Sequence, residues 1–282
     1  MLDVLMDALI DTVKLLPFLF LTYLLMEWLE HRTSSRTKEI VRKSGRLGPL
    51  FGGILGAFPQ CGFSTAAANL FAGRVISAGT LIAIFLSTSD EMLPILISEQ
   101  APAGLMLSIV GMKILVGMAA GFAIDWLMRK NKPVEKIEVG IGHICEHDHC
   151  HCDKSIFKSA LKHTLVITAY IFAISLVLNV GIYFIGEDNI ANVILYQPVI
   201  GPMLAGVVGL IPNCAASVVI TQMYLEGLLS LGSMLAGLLA GSGIGLLVLF
   251  KVNSNHLKTN LKITGTVYVI GVAVGILVDL FL

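Results

Sequence analysis

Two windows of this chain repeat one another 153 positions apart: Gly53, Gly56, Pro59, Cys61 and Ser64 recur as Gly206, Gly209, Pro212, Cys214 and Ser217. The correspondence continues from Ser77, Gly79 and Ala83 to Ser230, Gly232 and Ala236, so a whole supersecondary unit is duplicated with one Pro-x-Cys in each copy. A chain built this way folds as two related halves.

Composition identifies the solvent in which those halves fold. Of 282 residues, 56% are hydrophobic and 13% charged, and mean hydropathy is +0.85. That is more apolar surface than a water-soluble core of this size buries, and it predicts an integral membrane protein. Apolar runs near 5–28, 76–98, 103–128, 163–185, 228–250 and 263–282 are long enough to cross a hydrocarbon layer of about 30 Å as helices. Open strands would leave their backbone unsatisfied in lipid, so the expected class is all-α. Asp3, Asp7 and Asp11 precede the apolar centre of the first run, where a cleaved signal would carry basic residues, so this run reads as a permanent helix.

Two further apolar stretches, 49–72 and 197–225, are cut by Phe58-Pro59-Gln60-Cys61-Gly62 and Ile211-Pro212-Asn213-Cys214-Ala215. Proline lacks an N–H and drives its predecessor out of the helix, so each stretch is expected to be two short helices meeting at the Pro-x-Cys. Each half then holds either three spans and a re-entrant hairpin or five spans. With about ten segments in all and an odd number of crossings per half, the two repeats face opposite ways.

The basic residues agree with inversion. Arg32, Arg36, Lys38, Arg42, Lys43 and Arg46 follow the first run, whereas the corresponding loop of the second half has Glu187 and Asp188 and no basic residue. At the last loop of each half the bias reverses: Glu99 stands in the first, and Lys251, Lys258 and Lys262 in the second. Because cytoplasmic loops are rich in Lys and Arg, both termini are expected outside the cell membrane and the central linker in the cytoplasm. The implied organisation is a first membrane repeat at 1–128, a linker at 129–162 and an inverted repeat at 163–282.

The linker holds His143, Cys145, His147, His149, Cys150, His151 and Cys152, interleaved with Glu146, Asp148 and Asp153. Imidazole and thiolate at this density are ligands for borderline and soft metals. No fixed CxxC…CxxC framework is present, which favours capture of a metal ion by a flexible segment over a structural zinc fold; a solvated tether or an incidental chelator is the alternative.

Polar groups inside the apolar runs are the other candidates. Ser87, Thr88, Ser89, Asp90 and Glu91 cluster within the run at 76–98, and Lys113 in the next run is the natural ion-pair partner for one carboxylate, leaving the other for a substrate or a proton. The positions matching Asp90 and Glu91 are Gly243 and Ile244, so a site between the halves would be asymmetric. At the two breaks, Pro59, Gln60, Cys61 and Ser64 meet Pro212, Asn213, Cys214 and Ser217 around one cavity; the alternative is that the cysteines are small apolar residues packing tight turns. Gly117 and Gly121 form a GxxxG that suits close helix packing.

The segments Gly56-Ala57-Phe58-Pro59-Gln60-Cys61-Gly62-Phe63-Ser64 and Gly209-Leu210-Ile211-Pro212-Asn213-Cys214-Ala215-Ala216-Ser217, with a His/Cys-rich loop between two five-segment halves, resemble the ten-helix heavy-metal exporters. Those proteins are related to the arsenic permeases and are sometimes labelled manganese transporters. The resemblance spans almost the whole chain. It implies efflux of a toxic metal or metalloid with the Pro-x-Cys breaks as the substrate region. Each break carries a single cysteine here, and the remaining three lie in the linker. The substrate therefore stays open between a divalent ion such as Mn, Zn, Co or Cd and arsenite.

No G-x-x-x-x-G-K-[ST] motif is present, so transport would be driven by an ion gradient, by the membrane potential or by a partner ATPase. A proton exchanged at Asp90 or Glu91 is the preferred coupling, with Lys113 in the charge balance. The expected partners are lipid, the metal ion and the proton. No cofactor, catalytic residue or nucleic acid is expected, and a homodimer is left open. A competing reading is a transmembrane thiol–disulfide electron carrier using Cys61 and Cys214.

Overall fold

The computed structural model describes residues 47–58, 61–89, 92–131 and 199–281, together with isolated helical positions between 9 and 24 and between 157 and 176. Among the described residues all regular structure is helical. In chain order the elements of the first half are α1 (Gly48–Gly56), α2 (Cys61–Ala72), α3 (Ala78–Ser87), α4 (Met92–Ser98) and α5 (Ala103–Asn131). In the second half come α6 (Ile200–Gly209), α7 (Cys214–Leu225), α8 (Leu231–Ala240), α9 (Ile244–Val252), a single 3₁₀ turn at Ser254–His256 and α10 (Leu257–Phe281).

Among the described residues, four apolar stretches have the length and hydropathy to cross a membrane: Ala78–Ser98, Ala103–Met128, Leu231–Val252 and Ser254–Phe281. The molecule is a helical membrane protein. By contrast α1, α2, α6 and α7 hold 9, 12, 10 and 12 residues, which at 1.5 Å per residue is about 14–18 Å, roughly half of an apolar layer.

The first and third of those four stretches are not continuous helices, which corrects the expectation of unbroken spans at 76–98 and 228–250. Thr88 turns out of the helix at φ −54° and ψ 126°, ending α3, and α4 resumes at Met92. Gly241 likewise leaves α8 at ψ 97°, and α9 starts after Gly243, whose φ of 53° and ψ of −147° suit glycine alone. Ser87 to Ser89 thus lie at a break rather than well inside a helix. The last span also begins earlier than expected, at Leu257 instead of 263.

Both halves start their central helix in the same way. Ser77 caps α3, its Oγ accepting from Thr80 N at 3.1 Å, and Ser230 caps α8, its Oγ accepting from Ser233 N at 3.1 Å. Each cap serine donates to a carboxylate from the last helix of its own half: Ser77 Oγ to Asp125 Oδ2 at 2.6 Å, and Ser230 Oγ to Asp279 Oδ2 at 2.7 Å. The other carboxylate oxygen accepts the backbone N–H of Gly79 at 3.0 Å or Gly232 at 2.8 Å. A carboxylate at a helix start satisfies orphan donors and complements the helix dipole.

Small residues let α3 and α5 approach backbone to backbone. A Cβ added to Gly121 would sit 2.6 Å from Gly79 O, and one added to Gly117 would sit 2.7 Å from Ala83 O. The GxxxG is a packing motif, as expected, and Gly275 repeats it in α10 at 2.5 Å from Gly232 O.

Every residue of α3 from Gly79 to Ser87 is buried, as is every residue of α8 from Gly232 to Ala240. Helices apolar on all sides belong at the centre of a bundle. Around them the halves exchange pieces: α2 of the first packs on α9 of the second, and α7 of the second packs on α4 of the first. One apolar cluster accordingly joins Phe71, Phe85 and Val248, and another joins Met92, Ile220 and Met234. The long helices α5 and α10 lie outside, presenting Leu107, Leu115, Val269 and Leu280 outwards, as lipid-facing side chains do.

Candidate functional site

Where the helix breaks of both halves converge, there is a pocket with room for about one water molecule. The first half contributes Thr88 and Ser89, from the break after α3, and Lys113 from α5. From the second half come Gly209, Asn213, Ala216 and Ser217, around the break between α6 and α7. The end of α8 closes it with Gly237, Leu238, Gly241 and Gly243. Four glycines in this wall let backbone approach where side chains would fill the space.

Local sequence explains why polar groups collect there. Helix α6 stops at Gly209, and Pro212 sits in the four-residue connection to α7, in which Asn213 N donates to Ile211 O at 2.7 Å. In the first half α1 stops at Gly56 and α2 begins at Cys61. At the end of α3, Ser87 Oγ donates to Ala83 O at 2.8 Å, Thr88 Oγ1 to Ile84 O at 2.7 Å and Ser89 Oγ to Ser87 O at 3.1 Å. Hydroxyls that bond back onto the preceding turn satisfy its carbonyls and hold the break in shape.

Lys113 is the one charged side chain among the described pocket residues, and it is 1% exposed. Its Nζ donates to Thr88 O and, at 2.8 Å, to Leu238 O. Thr88 is the C-cap of α3, and Leu238 lies in the last turn of α8, whose final carbonyls have no partner within the helix. A single ammonium therefore ties the C-terminal ends of the two central helices, one from each half. Val267 of α10, 1% exposed, stands at the position matching Lys113, so the charge belongs to one repeat alone.

Of the residues singled out in sequence, Thr88, Ser89, Lys113, Asn213, Ser217 and Gly243 come together in this pocket. Ser64 does not line it: Ser64 is fully buried where α2 crosses α9, and a Cβ on Gly245 would lie 2.7 Å from its Cβ. Pro59, Gln60, Asp90, Glu91 and the linker residues His143, Cys145, His147, His149, Cys150, His151 and Cys152 lie outside the described residues, as do the side chains of Cys61 and Cys214. Among the described residues no three His, Cys, Asp or Glu side chains gather as a metal site.

Sequence reasoning passed over Leu238 and the carboxylates Asp125 and Asp279. Leu238 acts through its backbone carbonyl, which leaves no side-chain signature. Asp125 and Asp279 could have been found from the duplication, but they stand 154 apart while the repeat signature runs at 153, so strict matching misses them.

A family model described as "Putative, 10TM heavy-metal exporter" (ArsP_2) matches the chain over residues 1–141 and 134–268. No match was found among the curated proteins or among the solved structures. With a pocket shared between two sets of broken helices in an apolar helical body, and with nearly the whole chain covered by that family model, the chain belongs to the ArsP_2 family of ten-helix heavy-metal exporters and is a metal transporter.

Proposed function

We propose that this protein exports a heavy-metal or metalloid ion from the cytoplasm by ion-coupled alternating access, the ion passing between two inverted halves at the pocket lined by Ser89, Lys113, Asn213 and Ser217. The observation that carries this reading is the pocket itself. Hydroxyls, an amide, carbonyls and an ammonium from both halves face one space at the junction of three helix breaks, between the apolar clusters that form the core. The relation between the halves is supported by the matching Ser77–Asp125 and Ser230–Asp279 caps and by the reciprocal packing of α2 on α9 and α7 on α4; their inversion rests on the opposite bias of basic residues in their loops.

In this mechanism the linker, with His143, Cys145, His147, His149, Cys150, His151 and Cys152, collects metal at the cytoplasmic face. The ion enters beside Pro59, Gln60 and Cys61 of one repeat and Pro212, Asn213, Cys214 and Ser217 of the other. Asp90 and Glu91 balance its charge, and a proton taken up there aids release outside. Since the pocket holds about one water, a hydrated ion enters only when the halves move apart.

The test is uptake into inside-out vesicles across Mn, Zn, Co, Ni, Cd and arsenite, comparing wild type with the C61S/C214S double variant. Cysteine-dependent accumulation of one member names the substrate class. Failure to accumulate any of them contradicts export.

A further inference from the structure

An ammonium held by backbone carbonyls at helix ends is in the position that transporters with broken helices give to a free alkali cation. Here both carbonyls come from C-terminal ends, where the helix dipole adds partial negative charge, and they belong to different halves. The 2.8 Å from Lys113 Nζ to Leu238 O is a contact that a bare potassium ion, close to ammonium in radius, makes with carbonyl oxygen. At the same break as Leu238, the Ser242 hydroxyl is 2% exposed and has no hydrogen-bond partner among the described residues.

We propose that Thr88 O and Leu238 O form a monovalent-cation site spanning the two halves, filled in this protein by the tethered ammonium of Lys113, and that shortening Lys113 opens it to free sodium or potassium. The site rests on the carbonyl geometry alone. Its consequence rests on the transport reading above: a protein that carries its own cation at this position does not need a sodium ion there, which leaves another ion such as the proton, the membrane potential or a partner ATPase to drive it.

The experiment is thermal unfolding of the purified full chain in detergent, in sodium, potassium or choline chloride at equal ionic strength, for wild type, K113A, K113S and K113M. Wild type should unfold at one temperature in all three salts. K113A and K113S should be less stable in choline and regain about 2–4 °C, saturably, in sodium or potassium, as binding to the folded state requires. K113M fills the space with an apolar chain and should stay unstable in every salt. Should K113A and K113S fold too poorly to purify in choline, the yield of monodisperse protein after solubilisation in each salt is read instead, and should rise in sodium or potassium. Equal stability or equal yield of K113A and K113S in the three salts overturns the proposal. Neither readout involves transport, so the site can fail while export stands, and export can fail while the site stands.

Discussion

Single side chains do their structural work here by reaching helix ends. Asp125 and Asp279 each satisfy a serine hydroxyl and a backbone N–H at the start of a central helix. Losing one carboxylate leaves a buried donor unpaired, which costs about 1–3 kcal/mol. Asp125→Ala and Asp279→Ala should therefore each lower the unfolding temperature in detergent. Ser77→Ala should cost about 0.5–2 kcal/mol as a lost cap, and the S77A/D125A pair should cost less than the two single changes added together, because they share a hydrogen bond. The serines were legible in sequence as part of the duplicated window. Their carboxylates were not, because nothing local links Ser77 to a residue 48 positions away.

At the scale of the element, proline and small-residue spacing were readable and the second kind of break was not. A hydropathy window sees Ala78–Ser98 and Leu231–Val252 as uninterrupted apolar stretches, and neither break falls at a proline. What ends α8 and starts α9 is Gly241-Ser242-Gly243, with Gly243 in a conformation costly for any side chain. Gly243→Ala should destabilise by about 1–3 kcal/mol. Gly121→Ala should do so to a similar degree, about 1–3 kcal/mol, through overpacking against Gly79 O. Gly265→Ala, with open space around it in α10, should be neutral or stabilising by up to about 1 kcal/mol. Unfolding temperatures of the three variants side by side check this ordering.

On the scale of the whole molecule, the duplication made two related halves legible and put Asn213 and Ser217 in one cavity. It could not reveal that α2 packs on α9 and α7 on α4, since those faces are apolar, far apart in sequence and interchangeable by composition. The exchange matters because it binds the halves into one core while leaving the polar pocket at their junction. It also placed Ser64 in helix packing and Ser217 at the pocket, although the two occupy equivalent positions in the repeat. Deleting 143–153 should weaken export without abolishing it, because the pocket is built without those residues; the check is uptake at saturating and limiting metal. The central claim is that the ion passes through this shared pocket, and its most direct test is metal uptake into inside-out vesicles by N213A/S217A beside S64A, normalised to folded protein. The account predicts at least a tenfold loss of initial rate, about 1.4 kcal/mol in the barrier, for N213A/S217A, with S64A near wild type; full uptake by N213A/S217A would contradict it.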